Sequence, residues 1–173
     1  MAKMRAGRQD QFPNRAIMQV TQTVGSTLVF QQVRFGAGLF QGTALIVHRI
    51  EWFPDQDSVL EMLDVADYHH YALTNRDDLT ELTPQNMNVL VMKKLLTPEG
   101  GVFGQHEELP FISDLSNQPG GGLIIPSNPL FLAFDTGGAS TQFTLNAVMY
   151  YTVRQLSDAD YIELVQSLIP VNI

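Results

Sequence analysis

Four histidines, two acidic clusters, a glycine-rich stretch and a set of tyrosines are the residues here that could do chemistry. His48, His69, His70 and His106 are the only histidines. A cupin-like metal enzyme needs a His-x-His pair, a later Glu and a further His on one face of a β-fold. His69 and His70 are adjacent in a strand-like stretch, so they point to opposite faces and are not placed to share a metal. His106-Glu107 has no ligand partner at useful spacing. Asp55-Gln56-Asp57 and Asp77-Asp78 could meet calcium, but neither continues into the alternating acids, Gly and distal Glu of a calcium loop. Gly36-x-Gly38-x-x-x-Gly42 links two strands instead of opening a helix, so it lacks the context of a phosphate cradle. No Gly-x-Ser-x-Gly elbow occurs, and there is no Cys for thiol catalysis or zinc. Tyr68, Tyr71, Tyr150 and Tyr151 could form a sugar platform, but strand alternation sends half of them into a core. Paired carboxylates cannot be picked from eighteen acids without a fold. The residues imply no catalytic site, no metal and no cofactor, and the expectation is a protein that is not an enzyme.

The elements that must position these residues are strands. Residues 17–24 alternate with period two, Gly25-Ser26 supplies a turn, and 27–35 reads as a second strand rich in Val, Phe and Leu. Residues 43–53 form the clearest strand of the first half. Unbroken alternation puts Leu45, Val47, Arg49 and Glu51 on one face and Ala44, Ile46, His48, Ile50 and Trp52 on the other. Residues 58–66 fit a helical turn or a strand, 68–74 alternate, 75–85 form a polar loop, and 87–96 are an apolar run of either type. Residues 111–112, 123–126 and 130–134 are short strands, and 135–140 carry a hairpin signal. Residues 141–156 follow as a long strand with Phe143, Leu145, Ala147, Met149, Tyr151 and Val153 on one face. One helix is expected, over 157–169. Ser157 is its N-cap with Asp160 three residues on, and Tyr161, Leu164, Val165 and Leu168 make an apolar stripe. About eight strands with Gly- and Pro-rich turns and one short helix predict an all-β sandwich or barrel.

Size and charge place this fold in one domain. The chain has 173 residues and a formal charge of −8, which disfavours a whole-body grip on nucleic acid. No stretch approaches the ~20 apolar residues of a membrane span, and the charged N-terminus lacks the apolar core of a secretory signal. Charged residues make up 16%, against about 25% in average domains. Gln, Asn, Ser and Thr, 42 in all, fill the deficit. A surface so depleted in charge is cheap to dehydrate and points to burial against neighbours. Residues 1–16 read as a flexible arm, with Lys3, Arg5, Arg8 and Arg15 as candidate contacts, and 17–173 as the domain.

The C-terminal third carries a family resemblance. The block Pro119-Gly-Gly-Gly-Leu-Ile-Ile-Pro is followed by Asn128-Pro-Leu-Phe-Leu-Ala-Phe-Asp and by Thr144-Leu-Asn-Ala-Val-Met-Tyr-Tyr-Thr-Val-Arg-Gln-Leu. Ser157-Asp-Ala-Asp-Tyr-Ile-Glu-Leu-Val-Gln closes it. Together they resemble the end of the single jelly-roll major capsid proteins of tailless icosahedral viruses of archaea and bacteria. The resemblance implies a single jelly roll of about eight antiparallel strands with a short C-terminal helix. It implies a coat protein that self-assembles into capsomers of an icosahedral virion, built in the host cytoplasm. Its partners would be copies of itself, with a second capsid protein and an internal viral membrane as further candidates. The thin arm departs from the strongly basic arms that grip genomes, so direct genome contact is not part of the expectation. Tyr161, Leu164, Val165 and Leu168 are the candidate subunit-interface or helix-docking residues. A jelly-roll carbohydrate-binding module is the alternative, and a cupin-like metal enzyme comes third.

Overall fold

A computed structural model describes residues 12–25, 27–35, 42–55, 68–96, 110–126, 129–137 and 142–167. Among these residues the chain forms nine strands and one helix: β1 (Asn14–Thr21), β2 (Val29–Gln32), β3 (Thr43–Pro54), β4 (Tyr68–Thr74), β5 (Val89–Leu96), β6 (Phe111–Asp114), β7 (Leu123–Pro126), β8 (Phe131–Gly137), β9 (Thr144–Gln155) and α1 (Asp158–Ser167). The first sheet has the order β1-β9-β3-β6, with β7 also paired to β3, and the second has the order β2-β8-β4-β5. All pairings are antiparallel. β6 pairs Arg49 to Trp52 and β7 pairs Ala44 to Val47, so the two short strands share one edge of β3. Counted as one interrupted strand, they leave four strand positions in each sheet. The chain then changes sheet at every step except β4 to β5, which is the connectivity of a jelly roll.

The core lies between the sheets. Leu45, Val47, Ile50 and Trp52 from β3 meet Tyr71 and Leu73 from β4, Leu132 and Phe134 from β8, and Leu145, Ala147 and Met149 from β9. Trp52 and Tyr71 stack across the gap with ring centroids 6.2 Å apart, and Trp52 Nε1 donates to Ser113 Oγ at 2.9 Å. Burying side chains of this size contributes roughly 1.5–3 kcal/mol each. Gln22 and Thr136, both buried, close one end through a 3.0 Å hydrogen bond, and Gln22 Nε2 also reaches Thr27 O.

Unbroken alternation fails in β3. The pairing with β9 shifts between Val47 and Arg49, leaving His48 as a bulge. The extra residue inverts the phase, so Leu45 and Val47 share the core face with Ile50 and Trp52, not with Arg49 and Glu51. Other boundaries move as well. β1 starts at Asn14, so Arg15 is a strand residue and not part of an arm; its neighbour Ala16 is buried. β2 is shorter than the expected 27–35, residues 87–96 resolve into β5, and Asp135 to Gly137 extend β8. The ambiguous stretch 58–66 lies outside the described residues, as do Lys3, Arg5 and Arg8.

Candidate interaction surfaces

The residues considered for chemistry are dispersed. His69 is buried inside the sandwich, with its ring edge-on to Phe134 and Nδ1 3.2 Å from the Tyr71 hydroxyl. His70 faces out of the second sheet. His48 lies across the first: its Nδ1 donates to Gly121 O at 2.8 Å and its Nε2 accepts from Thr152 Oγ1 at 3.0 Å. His106 and Asp57 lie outside the described residues. Among the described residues no three His, Asp or Glu side chains gather as metal ligands. Asp78 is taken up by a two-bond pairing with Arg76. Tyr71 and Tyr151 belong to the core, while Tyr68 and Tyr150 emerge from different sheets, so the four tyrosines form no common platform.

The outer face of the second sheet is largely covered. Leu79 and Leu82 from the 75–88 connection pack with Ala72, Ala133, Phe30 and Met92 into a small second cluster. Beyond it, His70, Asp135 and Lys94 share one cross-strand row. Tyr68 stacks on His70 at 4.4 Å, and its hydroxyl donates to Asp135 Oδ2 at 3.3 Å. Burial first, then Lys94, lowers the His70 pKa to about 4, and burial raises that of Asp135. An open groove of about 290 Å³ follows this edge, lined by Pro84, Val89, Leu90, Met92 and Lys94.

The outer face of the first sheet is open at its β1–β6 end and covered towards β7, where Ala44, Ile46 and Thr152 are buried. Register aligns Arg15, Tyr150, Arg49 and Asp114 in one row across β1, β9, β3 and β6, and Ile17, Val148, Glu51 and Ile112 in the next. Gln19 and Asn146 follow, joined at 3.0 Å, then Thr21 and Thr144 at 2.9 Å. Ile17 is 74% exposed and Ile112 46%. Within the face, Glu51 accepts from Arg49 at 2.7 Å and from the Tyr150 hydroxyl at 3.3 Å. Two cations and two anions are its only charges in these rows, and the net is zero. Of these residues only Arg15, as an arm contact, and Tyr150, as part of a sugar platform, stand out in the sequence as candidates. One signal was present: Ile17 is the apolar residue out of phase with Ala16, Met18 and Val20.

The helix begins as expected. Asp160 N donates to Ser157 Oγ at 3.2 Å, and Ser157 Oγ donates to Asp160 Oδ2 at 2.7 Å. The helix lies beside β7. Tyr161, Leu164 and Val165 are half-buried, Ile162 is exposed, and Leu168 lies outside the described residues. Among the described residues no helix is long and apolar enough to cross a membrane. In comparisons with known proteins, the chain matches no family model, and no curated protein matches it significantly.

Proposed function

We propose that this protein is a structural subunit of a viral capsid and acts by self-association, not by catalysis. The observation that carries the reading is the open end of the outer face of the first sheet, where exposed Ile17 and Ile112 share a row beside Arg15, Arg49, Glu51 and Asp114, two cations and two anions. Such a face gains from apolar burial, and its charges can be met by the opposite charges of a second copy. The jelly-roll strand order and the resemblance of the C-terminal third support the reading that the assembly is one of capsomers in an icosahedral virion. Copies of the same chain are the principal partner. A second coat protein and an internal membrane remain partners to be sought in the native particle.

Mass measurement of the purified full chain across a concentration series, with imaging of its largest species, tests this reading. Capsomers or closed shells are the expected result. A monomer at every concentration that retains a glycan in a sugar-binding screen would replace it with the carbohydrate-binding alternative.

A further inference from the structure

The two edges of the open face of the first sheet carry opposite charges in one row and matching isoleucines in the next. In the Arg15–Tyr150–Arg49–Asp114 row a cation stands on the β1 edge and an anion on the β6 edge. In the next row the two exposed isoleucines occupy the same two edges, Ile17 on β1 and Ile112 on β6. A two-fold axis lying in the face, parallel to the strands and midway between β9 and β3, exchanges β1 with β6 and keeps every row in place. It brings Arg15 of one copy over Asp114 of the other, twice, and Ile17 over Ile112, twice. Tyr150 then meets Arg49, a ring against a guanidinium. Glu51 comes over Val148, which is already buried within its own copy, and its carboxylate is already bonded to Arg49 and Tyr150.

From this match we infer that two copies of the chain pair face to face through their first sheets about that axis, in an isologous interface. The inference rests on the self-association reading and adds the face, the symmetry and the contacts. β6 is four residues long, so four strands overlap for four residues and β9 with β3 for about four more; at about 4.8 Å per strand and about 3.3 Å per residue this gives about 380 Å² per copy. The pair therefore buries about 760 Å², less than the ~1,000 Å² of a stable specific interface. The pairing is accordingly weak alone, and because a two-fold contact is closed it stops at dimers. A shell would need other contacts besides this one.

Charge reversal tests the geometry on the full chain by sedimentation at low salt. Arg15→Glu alone puts a carboxylate over Asp114 at both ends of the dimer, and Asp114→Arg alone puts a guanidinium over Arg15. Each should weaken pairing about tenfold or more. Mixing the two variants should restore pairing to near the wild-type level, as heterodimers only. In such a heterodimer the two introduced side chains, of opposite charge, face each other at one end, while the native Arg15 faces the native Asp114 at the other. Arg34→Glu, an exposed site off this face with the same charge change, should leave pairing intact. Ile17→Asp, on the exposed β1 edge, should abolish it without lowering the melting temperature by more than a few degrees. Association that survives both single reversals, or variants that do not rescue each other, would overturn the inference while leaving self-assembly by another surface standing. Wild-type dimers that follow this pattern and never grow larger support the interface and remove the shell. A wild-type chain that stays monomeric defeats both.

Discussion

Both ring nitrogens of His70 are buried without a hydrogen-bond partner among the described residues, and Asp135 Oδ2 stands 3.9 Å from Nδ1. A neutral ring tolerates that site better than a charged one, because Lys94 adds repulsion to the cost of burial. The unfolded chain takes up a proton on this ring near pH 6.5 and the folded chain near 4. Stability from His70 is therefore complete above pH 6.5 and is lost as pH falls towards 4, by roughly 2–3 kcal/mol. Asp135 works in the opposite direction: its raised pKa lets the folded state bind a proton earlier than the unfolded chain and offsets part of the loss. The melting temperature of the wild type should fall across this window more steeply than that of His70→Gln, and parallel curves for the two proteins would show that the ring does not titrate this way. The opposite facing of His69 and His70 follows from strand alternation alone. The perturbation of His70 does not, since burial and Lys94 of β5 cause it, and both depend on how the fold packs around β4.

At the scale of elements, the sequence signals that survived were local ones. The Ser157–Asp160 cap and the alternating face of β9 depend on residues a few positions apart, and both are present in the structure. The bulge at His48 is not local. It falls level with the split in the other edge of β3, where Leu115 N donates to His48 O at 2.8 Å and the 116–122 turn folds back to place Gly121 O on the imidazole. A period-two reading assumes continuous pairing and so misassigned Arg49 to Trp52. The turn has strict needs: Gly120 and Gly121 adopt φ of 92° and 79°, and a Cβ on Gly122 would stand 2.6 Å from Val47 O. Gly122→Ala should therefore destabilise the fold by about 1–3 kcal/mol, read by thermal or urea melting, because backbone must move to admit the methyl group. In α1 the half-buried Leu164 should cost less than a full core cavity when cut to Ala, about 1–2 kcal/mol, and exposed Ile162→Ala under about 0.5. Equal losses at the two positions would show that the apolar stripe is not what docks the helix.

The whole molecule shows where sequence reading stops. The number of strands and their turns predicted a sandwich, but the strand order depends on partners such as β1 with β9, which lie at opposite ends of the chain. Composition does not anticipate where charge lies: a chain with 16% charged residues places four of them, two of each sign, in two rows of one outer face. That placement sets how an assembly responds to salt. Exposed ion pairs such as Arg15 with a neighbour's Asp114 contribute about 0.2–1 kcal/mol each and are screened at a Debye length of about 3 Å in 1 M salt. Burial of Ile17 and Ile112 and contacts among Gln19, Thr21, Thr144 and Asn146 are not screened. Raising sodium chloride from about 0.1 to about 1 M at constant pH should thus weaken pairing modestly, by less than about tenfold, and leave larger particles whole. Ile17→Asp should do at low salt what high salt does not do to the wild type. Light scattering of both proteins across the salt series measures this directly. Particles that dissolve near the top of the series would mean that charge holds the copies together, and an Ile17→Asp protein that pairs normally would mean that another surface does.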